Sequence, residues 1–314
     1  MSSSRKGVVI LGIYVADLAF RAGRLPRMGE TLLGSGFALG PGGKGSNQAV
    51  AAARAGTAIP VTFITKIGRD AFADIGLATW KSDGITTDYV VQMESEPTGA
   101  AFIFVSTETG DNAIIVNGGA AGTITIEDVE DAATAIRSAA VFMTQFEQPI
   151  DAARRGLEIA RQAGVTTILN PAPAASADDG LYGLCDYVTP NESEASTITG
   201  LPVDTLEQAR AAGDDLLRRG AGVALITLGE RGALYHSGRE SILVPAFPVE
   251  TVVETTGAGD AFNGGFAAAL AEGMKPLEAA RFACAAAALS VGKAGTAPSM
   301  PRRAEIDRLM KAHP

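Results

Sequence analysis

From residue 7 onward, apolar runs of strand length alternate with longer segments whose apolar residues recur at helical spacing. The strand-like runs cover residues 7–13, 61–67, 139–144, 165–170, 187–189 and 223–228. The helix-like segments cover residues 46–55, 70–82, 150–163, 191–198, 206–219, 258–272, 276–291 and 302–311. This alternation is typical of a parallel sheet with helices on both faces. It predicts an α/β fold, a three-layer α/β/α sandwich around a mostly parallel central sheet.

Two stretches, residues 14–41 and 97–119, break the alternation. They contain short β-like runs at 30–37, 100–106 and 113–116, with turn residues and no helical pattern. Because each stretch follows a strand of the main pattern, they predict a small β-sheet that projects from the edge of the large one. A sheet in that position suits a lid over a ligand. The chain is interpreted as a single domain, residues 1–314, with this lid.

The composition is that of an ordinary globular protein, with 46% hydrophobic and 19% charged residues in a chain of 314. The net charge of -9 argues against nucleic acid or an anionic membrane as a partner, because either requires a basic face. Cys185 and Cys284 lie far apart and belong to no C-x-x-C pair, which indicates reduced thiols and predicts a cytoplasmic protein. No segment approaches the roughly 20 apolar residues that span a bilayer.

The strongest local motif is a Gly-rich turn that runs into an amphipathic helix. Residues 254–265 read Glu-Thr-Thr-Gly-Ala-Gly-Asp-Ala-Phe-Asn-Gly-Gly. Free N–H groups at a helix start attract a phosphate or a developing negative charge. The carboxylate of Asp260 would repel that phosphate, a conflict that is resolved if Asp260 accepts the proton of a substrate hydroxyl beside it. The alternative is that Asp260 only caps the helix.

Histidine is disfavoured as a general base, since the chain has only His236 and His313 and the first is interpreted as structural, on a predicted strand. Proton transfer then falls to carboxylates at loops or strand ends. The candidates are Asp17, Glu147, Glu194 and Asp260.

A second Gly-rich turn, residues 40–49, reads Gly-Pro-Gly-Gly-Lys-Gly-Ser-Asn-Gln-Ala and formally matches G-x-G-x-x-G. A dinucleotide site is disfavoured, because the lid segment precedes the motif and the next strand ends in Thr65-Lys66 without an acidic residue. A P-loop is excluded, because Gly45 follows Lys44 where Ser or Thr is required. The motif then indicates either close backbone approach to a hydroxyl-rich ligand or a tight turn with incidental polar residues.

Two further motifs follow strands. Asn191 and Glu194 are three residues apart, so they share a helix face and could orient water around Mg2+, although a helix cap explains the pair equally well. Residues 226–232, Ile-Thr-Leu-Gly-Glu-Arg-Gly, could present amides and a hydroxyl to a nucleotide, or form a plain turn.

Together and in this order, the four motifs resemble the ribokinase family of carbohydrate kinases, also called the PfkB family. The sequence Leu-Asn-Pro-Ala-Pro-Ala at 169–174 and Pro-x-x-Gly-Glu-Thr at 26–31 strengthen the resemblance, which extends from residue 12 to about 299. The resemblance implies ATP-dependent phosphorylation of the terminal hydroxyl of a small sugar, with D-ribose as the first choice. It further implies ATP and Mg2+ as cofactors, and a homodimer formed through the lid.

The resemblance also implies roles for individual residues. The anion hole of the family corresponds to Gly257, Ala258 and Gly259, and its general base to Asp260. The positions that hold sugar hydroxyls correspond to Asp17, Gly42, Gly43, Lys44, Asn47 and Glu147, together with Asp260. The nucleotide positions correspond to Asn191, Thr227, Gly229, Gly232 and Gly259, and Glu194 would position Mg2+ through water. A monovalent cation site, usually for K+, corresponds to Glu254, Thr256, Val291, Gly295 and Ser299.

The sequence departs from the family pattern at two positions. Glu254 stands where the usual residue is Asp, so its longer side chain displaces the carboxylate that would bind the cation. Val15 stands where ribokinases usually have Asn. Loss of an amide from a pocket that reads hydroxyl groups should weaken or redirect sugar recognition.

Three alternatives stay open at this point. The chain could phosphorylate another pentose, a ketohexose or a nucleoside, although Asp17 and Asn47 favour a small polyol over a nucleoside. It could be a non-catalytic sugar-binding protein on the same fold, which the intact turn at 257–260 disfavours. A dehydrogenase is the third, and the misplaced G-x-G-x-x-G motif argues against it.

Overall fold

Thirteen strands form two separate sheets in the computed structural model, which describes residues 6–109, 112–175 and 177–314. The strands are β1 Val8–Leu11, β2 Val15–Ala22, β3 Gly36–Gly42, β4 Val61–Gly68, β5 Thr86–Met93, β6 Thr98–Ser106, β7 Asn112–Gly119, β8 Val141–Thr144, β9 Thr166–Leu169, β10 Tyr187–Val188, β11 Val223–Thr227, β12 Ala233–Ser237 and β13 Ser241–Val244. Nine of them form one sheet in the order β13-β12-β11-β10-β9-β8-β1-β4-β5. Neighbouring strands from β11 to β5 pair in parallel, and β12 and β13 extend the sheet antiparallel.

Helices cover both faces of this sheet. They are α1 Lys44–Ala55, α2 Ala71–Ser82, α3 Ile126–Asp131, α4 Ala133–Ser138, α5 Ile150–Gln162, α6 Asp179–Tyr182, α7 Glu192–Thr199, α8 Leu206–Arg218, α9 Ala258–Ala271, α10 Pro276–Ser290 and α11 Arg303–Ala312. Side chains alternate across β1, so Val8 and Ile10 pack in one buried cluster with α1, α9 and α10, whereas Val9 and Leu11 pack in another with α5 and α8. The predicted three-layer α/β/α fold is thereby confirmed. No helix in the described part of the chain is both long and apolar enough to cross a bilayer.

The smaller sheet has the order β3-β2-β6-β7. Its four strands fall within the two stretches that interrupt the alternation in the sequence, except that β3 extends one residue further, to Gly42. Residues 110–111 of the second stretch lie outside the described residues. The β-like run predicted at residues 30–37 is wrong. The third strand covers Gly36–Gly42 instead, and Glu30 belongs to a loop in which it accepts hydrogen bonds from Arg24 and from the backbone N–H of Arg27.

The Gly-rich segment at 40–42 is therefore part of a strand, not of a turn. Residues 36–42 pair with β2, in a register that places Gly42 opposite Val15 and Gly40 opposite Asp17. A Cβ atom on Gly42 would lie 2.0 Å from a carboxylate oxygen of Asp17, so only glycine fits there. The turn itself is confined to Gly43, whose φ of 83° is unfavourable for other residues.

The sequence pattern did not predict every strand and helix. Edge strand β5 carries polar residues toward solvent, and α3 and α4 are only six residues each, too short to show a helical period. These omissions do not affect the site, because the motifs follow the carboxyl ends of β1, β8, β9, β10 and β11 or precede α1 and α9. In parallel sheets ligands bind at that edge.

Candidate active site

Close packing of α1 against α9 creates the centre of the site. A Cβ atom on Gly264 would lie 2.5 Å from the Cβ of Ala51 and 2.6 Å from the carbonyl oxygen of Gln48, so this glycine permits the two helices to touch. The first turn of α1 then meets the first turn of α9. There, Asn47 Nδ2 and Gln48 Nε2 each donate a hydrogen bond of 3.0 Å to Asp260, to Oδ2 and Oδ1 respectively.

Asp260 is buried at this contact, and burial raises the pKa of its carboxyl group. The charge of Lys44 and the two amide hydrogen bonds act in the opposite direction and favour the ionised form. Burial also acts to lower the pKa of Lys44, but Asp260, Glu147 and Glu194 together raise it. The amine therefore stays protonated and stabilises the carboxylates around it.

Two further carboxylates face the same space. Burial raises the pKa of Glu147 to about 7, against the effect of Lys44, whose backbone N–H donates to Glu147 Oε2 at 2.8 Å. Burial raises the pKa of Asp17 to about 6, and the charges of Asp260 and Glu254 raise it further. The hydroxyl of Thr296 opposes this shift by donating to Asp17 Oδ2 at 2.9 Å. Such shifted groups cluster at functional sites more often than elsewhere.

The predicted sugar positions come together here. Gly42 ends β3 beside Asp17, and Gly43 follows it. Lys44, Asn47 and Glu147 border the same space as Asp260. The Oδ1 atom of Asn47 is buried and has no hydrogen-bond partner among the described residues. A buried acceptor without a donor is costly, so this oxygen fits a ligand that brings a hydroxyl group.

The turn before α9 has some of the features of an anion-binding site. Gly257 adopts φ 86°, and α9 begins at Ala258, so the first N–H groups of the helix have no partner within it. The N–H of Ala258 is engaged by the carbonyl of Thr255 at 3.2 Å. Gly259 is exposed, and a Cβ atom there would meet nothing within 4 Å. The open space next to Gly259 can admit a phosphate.

Asn191 and Glu194 form the helix cap that the sequence allowed as an alternative. Asn191 Oδ1 accepts from the N–H of Glu194 at 2.8 Å, and Glu194 Oε2 accepts from the N–H of Asn191 at 2.9 Å. Burial raises the pKa of Glu194, and the residue lies close enough to Lys44 and Asp260 for their charges to lower and to raise this pKa respectively. No group of three or more His, Cys, Asp or Glu side chains in the described ranges could hold a metal, so a divalent ion here would need ligands from phosphate and water.

The fourth motif lies next to this cap. Thr227 ends β11 and bridges to Asn191, and its N–H donates to the carbonyl of Pro190 at 2.9 Å. Gly229 begins a short 3-10 helix, and a Cβ atom there would meet only Glu192 Oε1, at 3.9 Å. Gly232 adopts φ 104°, and a Cβ atom there would lie 2.0 Å from the carbonyl oxygen of Val244, so packing alone requires this glycine.

Most of the positions implied for a monovalent cation also adjoin one another. The carbonyl of Val291 accepts from the N–H groups of Val253 and Glu254, and Glu254 Oε2 accepts from the N–H of Gly295 at 2.9 Å. Ser299 donates to the carbonyl of Thr296 within the same loop at 2.7 Å. Thr256 lies on the lid side, where its hydroxyl accepts from Asn112 at 3.4 Å. Carboxylate and carbonyl oxygens are ligands that suit a hard cation.

His236 lies on β12 and is engaged elsewhere. Its ring nitrogens contact Ser241 Oγ and Asp214 Oδ1, each at 2.9 Å, and the ring packs against Gly213. This environment is that of a structural histidine.

Sequence reasoning missed four polar residues of the site. Gln48 and Asn170 lie inside sequence motifs whose other residues carry the predicted roles. Gln145 and Thr296 lie outside the motifs. The sequence distinguishes them only as polar residues beside a buried strand or loop. The four contact Asp260 or Asp17 directly or through one another.

Comparisons with known proteins identify a family and several relatives. The family model "pfkB family carbohydrate kinase" matches residues 5–303. A deoxyribokinase of Salmonella typhi is 37% identical over 295 residues, covering 94% of this chain and 95% of that protein. A ribokinase of Staphylococcus aureus is 39% identical over 304 residues, covering 96% of this chain and 99% of that protein. The structure of Arabidopsis thaliana ribokinase complexed with ribose and ATP superposes with a TM-score of 0.89 at 33% identity, covering 98% of this chain and 99% of the other.

Proposed function

Because the chain belongs to the pfkB family of carbohydrate kinases and is a phosphotransferase that acts on a sugar hydroxyl, we propose that it transfers the γ-phosphate of ATP to the terminal hydroxyl of D-ribose. The observation that carries the proposal is the buried carboxylate of Asp260 at the first turn of α9, beside the open space at Gly259. In the proposed complex, Asp260 would face the sugar hydroxyl and the free N–H groups of the helix start would face the transferring phosphate.

In the proposed reaction, Asp260 accepts the proton of the sugar hydroxyl as its oxygen attacks the γ-phosphorus. The new O–P bond forms, the bond from that phosphorus to the bridging oxygen breaks, and ADP leaves. The N–H groups at Gly257 and Gly259 and the helix dipole stabilise the negative charge on the transferring phosphoryl group. Lys44 lies near enough to Asp260 to stabilise its ionised form before the proton arrives.

The remaining polar residues would hold the two substrates. Asp17, Glu147 and the unpaired Oδ1 of Asn47 are acceptors for sugar hydroxyls, and the strand end at Gly42–Gly43 permits close approach of the ligand. The nucleotide would lie over Asn191, Thr227, Gly229 and Gly232 and reach Gly259 with its phosphates. Mg2+, when bound, would neutralise phosphate charge, and the carboxylate of Glu194 would hold its water ligands.

A second sugar, 2-deoxy-D-ribose, is favoured by one observation. Val15 is 2% exposed and begins the strand that carries Asp17, with both side chains on the same face of the small sheet. A hydroxyl that faces the isopropyl group of Val15 would be buried without a partner, which costs about 1–3 kcal/mol. A sugar that lacks this hydroxyl escapes the penalty, and two of the relatives at 37% identity are deoxyribokinases.

The proposal includes a dimer formed through the small sheet. One face of that sheet points away from the site and carries Phe20, Phe37, Leu39, Phe102 and Ile115, all of them exposed. Phe37 is 58% exposed and Ile115 70%, and no charged side chain lies on this face of the four strands. An apolar surface of this kind fits a second copy of the chain.

A cytoplasmic location accords with the buried, unpaired Cys185 and Cys284.

Substitution of Asp260 by Asn tests the base. The variant keeps the size of the side chain but cannot accept the proton, so kcat should fall by roughly 10²–10⁴. The Kd for ATP, measured by calorimetry, should stay within about twofold, because Asp260 acts on the sugar hydroxyl. Near-normal turnover in a folded variant would remove Asp260 from this role.

The sugar preference is tested by kcat/KM with Mg-ATP across D-ribose, 2-deoxy-D-ribose, other pentoses, ketohexoses and nucleosides. Val15→Asn restores an amide and should lower the ratio of 2-deoxyribose to ribose efficiency by about tenfold. Val15→Ala, which stays apolar, is the matched control and should leave the ratio nearly unchanged. Equal ratios in all three proteins would show that residue 15 does not read the sugar.

The cation site is tested by exchange of Na+ for K+ at constant ionic strength. Turnover should rise in K+, because the loop at Glu254 and Gly295 adjoins the turn before α9. Glu254→Gln should abolish most of the difference between the two salts, whereas Glu250→Gln, at an exposed position nearby, should retain it. Identical rates in both salts for the unmodified protein would contradict the site.

The dimer is tested by light scattering over a range of protein concentrations. The unmodified protein, with a chain of 32.1 kDa, should show twice that mass, and Phe37→Asp should show the monomer because it buries a charge in an apolar contact. Ile242→Asp, at an exposed apolar position on edge strand β13, should remain dimeric. A monomeric unmodified protein would refute the proposal.

A further inference from the structure

A line of buried amides leads from the end of β8 to Asp260. Gln145 Nε2 donates to Gln48 Oε1 at 2.5 Å, and Gln48 Nε2 donates to Asp260 Oδ1 at 3.0 Å. The same Nε2 also donates to Asn170 Oδ1 at 3.0 Å, and Asn170 Nδ2 in turn donates to the carbonyl of Thr189 at 3.0 Å. Gln48 and Gln145 are fully buried, so water cannot replace these partners.

The orientation of the Gln48 amide is determined by its neighbours. Both of its N–H groups face acceptors, Asp260 and Asn170, and its oxygen faces the donor Gln145. A rotation of the amide by 180° would place its oxygen against two acceptors and its nitrogen against a donor. The hydrogen bonds to Asp260 and Asn170 would be lost in a buried place, where unpaired polar groups are costly.

Glycine makes room for this line of amides at both ends. A Cβ atom on Gly12 would lie 2.2 Å from Gln145 Oε1, so the residue that follows β1 must lack a side chain. At the other end, Gly264 permits the approach of α1 to α9 that brings Gln48 to Asp260. The backbone thus accommodates the amides and not only the ligand.

The two carboxylate oxygens of Asp260 therefore have different surroundings. Oδ1 accepts from a Gln48 N–H whose direction cannot reverse, so the Gln48 amide cannot accept a hydrogen bond from a proton on Oδ1. Oδ2 accepts a hydrogen bond from Asn47 Nδ2. Asn47 borders the sugar positions, and its Oδ1 atom has no partner among the described residues. Rotation of the Asn47 amide would break only its hydrogen bond to Oδ2 and would turn its unpaired oxygen toward a proton there, so a proton is accommodated better on Oδ2 than on Oδ1.

We propose that Gln48, oriented by Gln145 and Asn170, is a positioning residue that keeps Oδ1 of Asp260 unprotonated and directs the proton of the sugar hydroxyl to Oδ2. The inference rests on the proposed role of Asp260 as the base and adds which of its oxygens reacts. The proton leaves the hydroxyl oxygen for Oδ2, and no other group changes its protonation in this step.

The hydrogen bond from Gln48 also stabilises the charged form of Asp260 and lowers its pKa. A base works only when it is deprotonated, so activity declines as pH falls through that pKa. Removal of the donor should raise the pKa and move the acidic limb of the kcat/KM profile to higher pH. Lys44, Glu147, Glu194 and Asp17 also face Asp260, and they are the same in the variant and the unmodified protein.

The first experiment compares Gln48→Met with the unmodified protein, because Met fills a similar volume and donates no hydrogen bond. The acidic limb should move upward by about one to two pH units, as expected for loss of a hydrogen bond to a charged group. Turnover on the plateau should fall by about tenfold as the carboxylate loses its orientation. Gln145→Met, which frees the Gln48 amide to rotate, should change both quantities in the same direction by less.

Gln148→Met is the matched control. Gln148 is buried in the same cluster, but it donates to Thr144 Oγ1 and to the backbone carbonyl of Gln145, not to Gln48 or Asp260. Its substitution should leave the acidic limb in place. If Gln48→Met lowers turnover without moving the limb, or if Gln148→Met moves the limb equally, the role of Gln48 is structural and the proposal is overturned.

A double-mutant cycle separates this inference from the proposed function. In the Asp260→Asn background, Gln48→Met should cause no further loss of the residual turnover, because its effect passes through Asp260. Additive losses would overturn the positioning role while leaving Asp260 as the base. If Asp260→Asn alone turned over normally, the proposed function would fail first, and the role of Gln48 with it.

Discussion

The contact between the first turns of α1 and α9 is the constraint on which the site depends. Asp260 is buried, and its ionised form is unfavourable there unless hydrogen bonds and an opposite charge compensate it. Asn47 and Gln48 donate those hydrogen bonds and Lys44 supplies the charge, all from one turn of α1. That turn reaches Asp260 only because Gly264 leaves no side chain between the helices.

A second set of contacts joins the small sheet to the loop after α10. Thr296 in that loop donates to Asp17 on β2, and Arg54 on α1 donates to the carbonyl oxygens of Ala297 and Met300. Arg54 is in turn held by a bidentate pair with Asp83, whose side chain is buried. The sugar positions, the proposed cation loop and α1 are therefore connected by direct polar contacts. A change in any one of them alters the surroundings of the others.

Much of the fold follows from the sequence because period-2 and period-3.6 patterns report burial directly. The parallel strands and long helices were predicted within a few residues. The pattern failed at β3, where the residues that look most like a strand, 30–35, form a loop and the Gly-rich segment continues the ladder. Glycine carries no hydrophobic signal, and a side chain at position 42 would collide with the carboxylate of Asp17, so this strand contains a residue of low strand propensity.

The sequence by itself determined the class of fold, the Gly-Ala-Gly-Asp turn and the carboxylates available for chemistry, because these depend on residue type and local spacing. Only the tertiary structure decided which of those groups meet. Gln48 and Asp260 are 212 residues apart, and Thr296 and Asp17 are 279 apart. Hydrogen bonds over such separations leave no periodic trace in a single chain, since the packing of helices and the strand order of the sheets bring the partners together. The same packing shifts the pKa values of Asp17, Glu147 and Asp260, which depend on burial and on neighbouring charges that the linear sequence does not reveal.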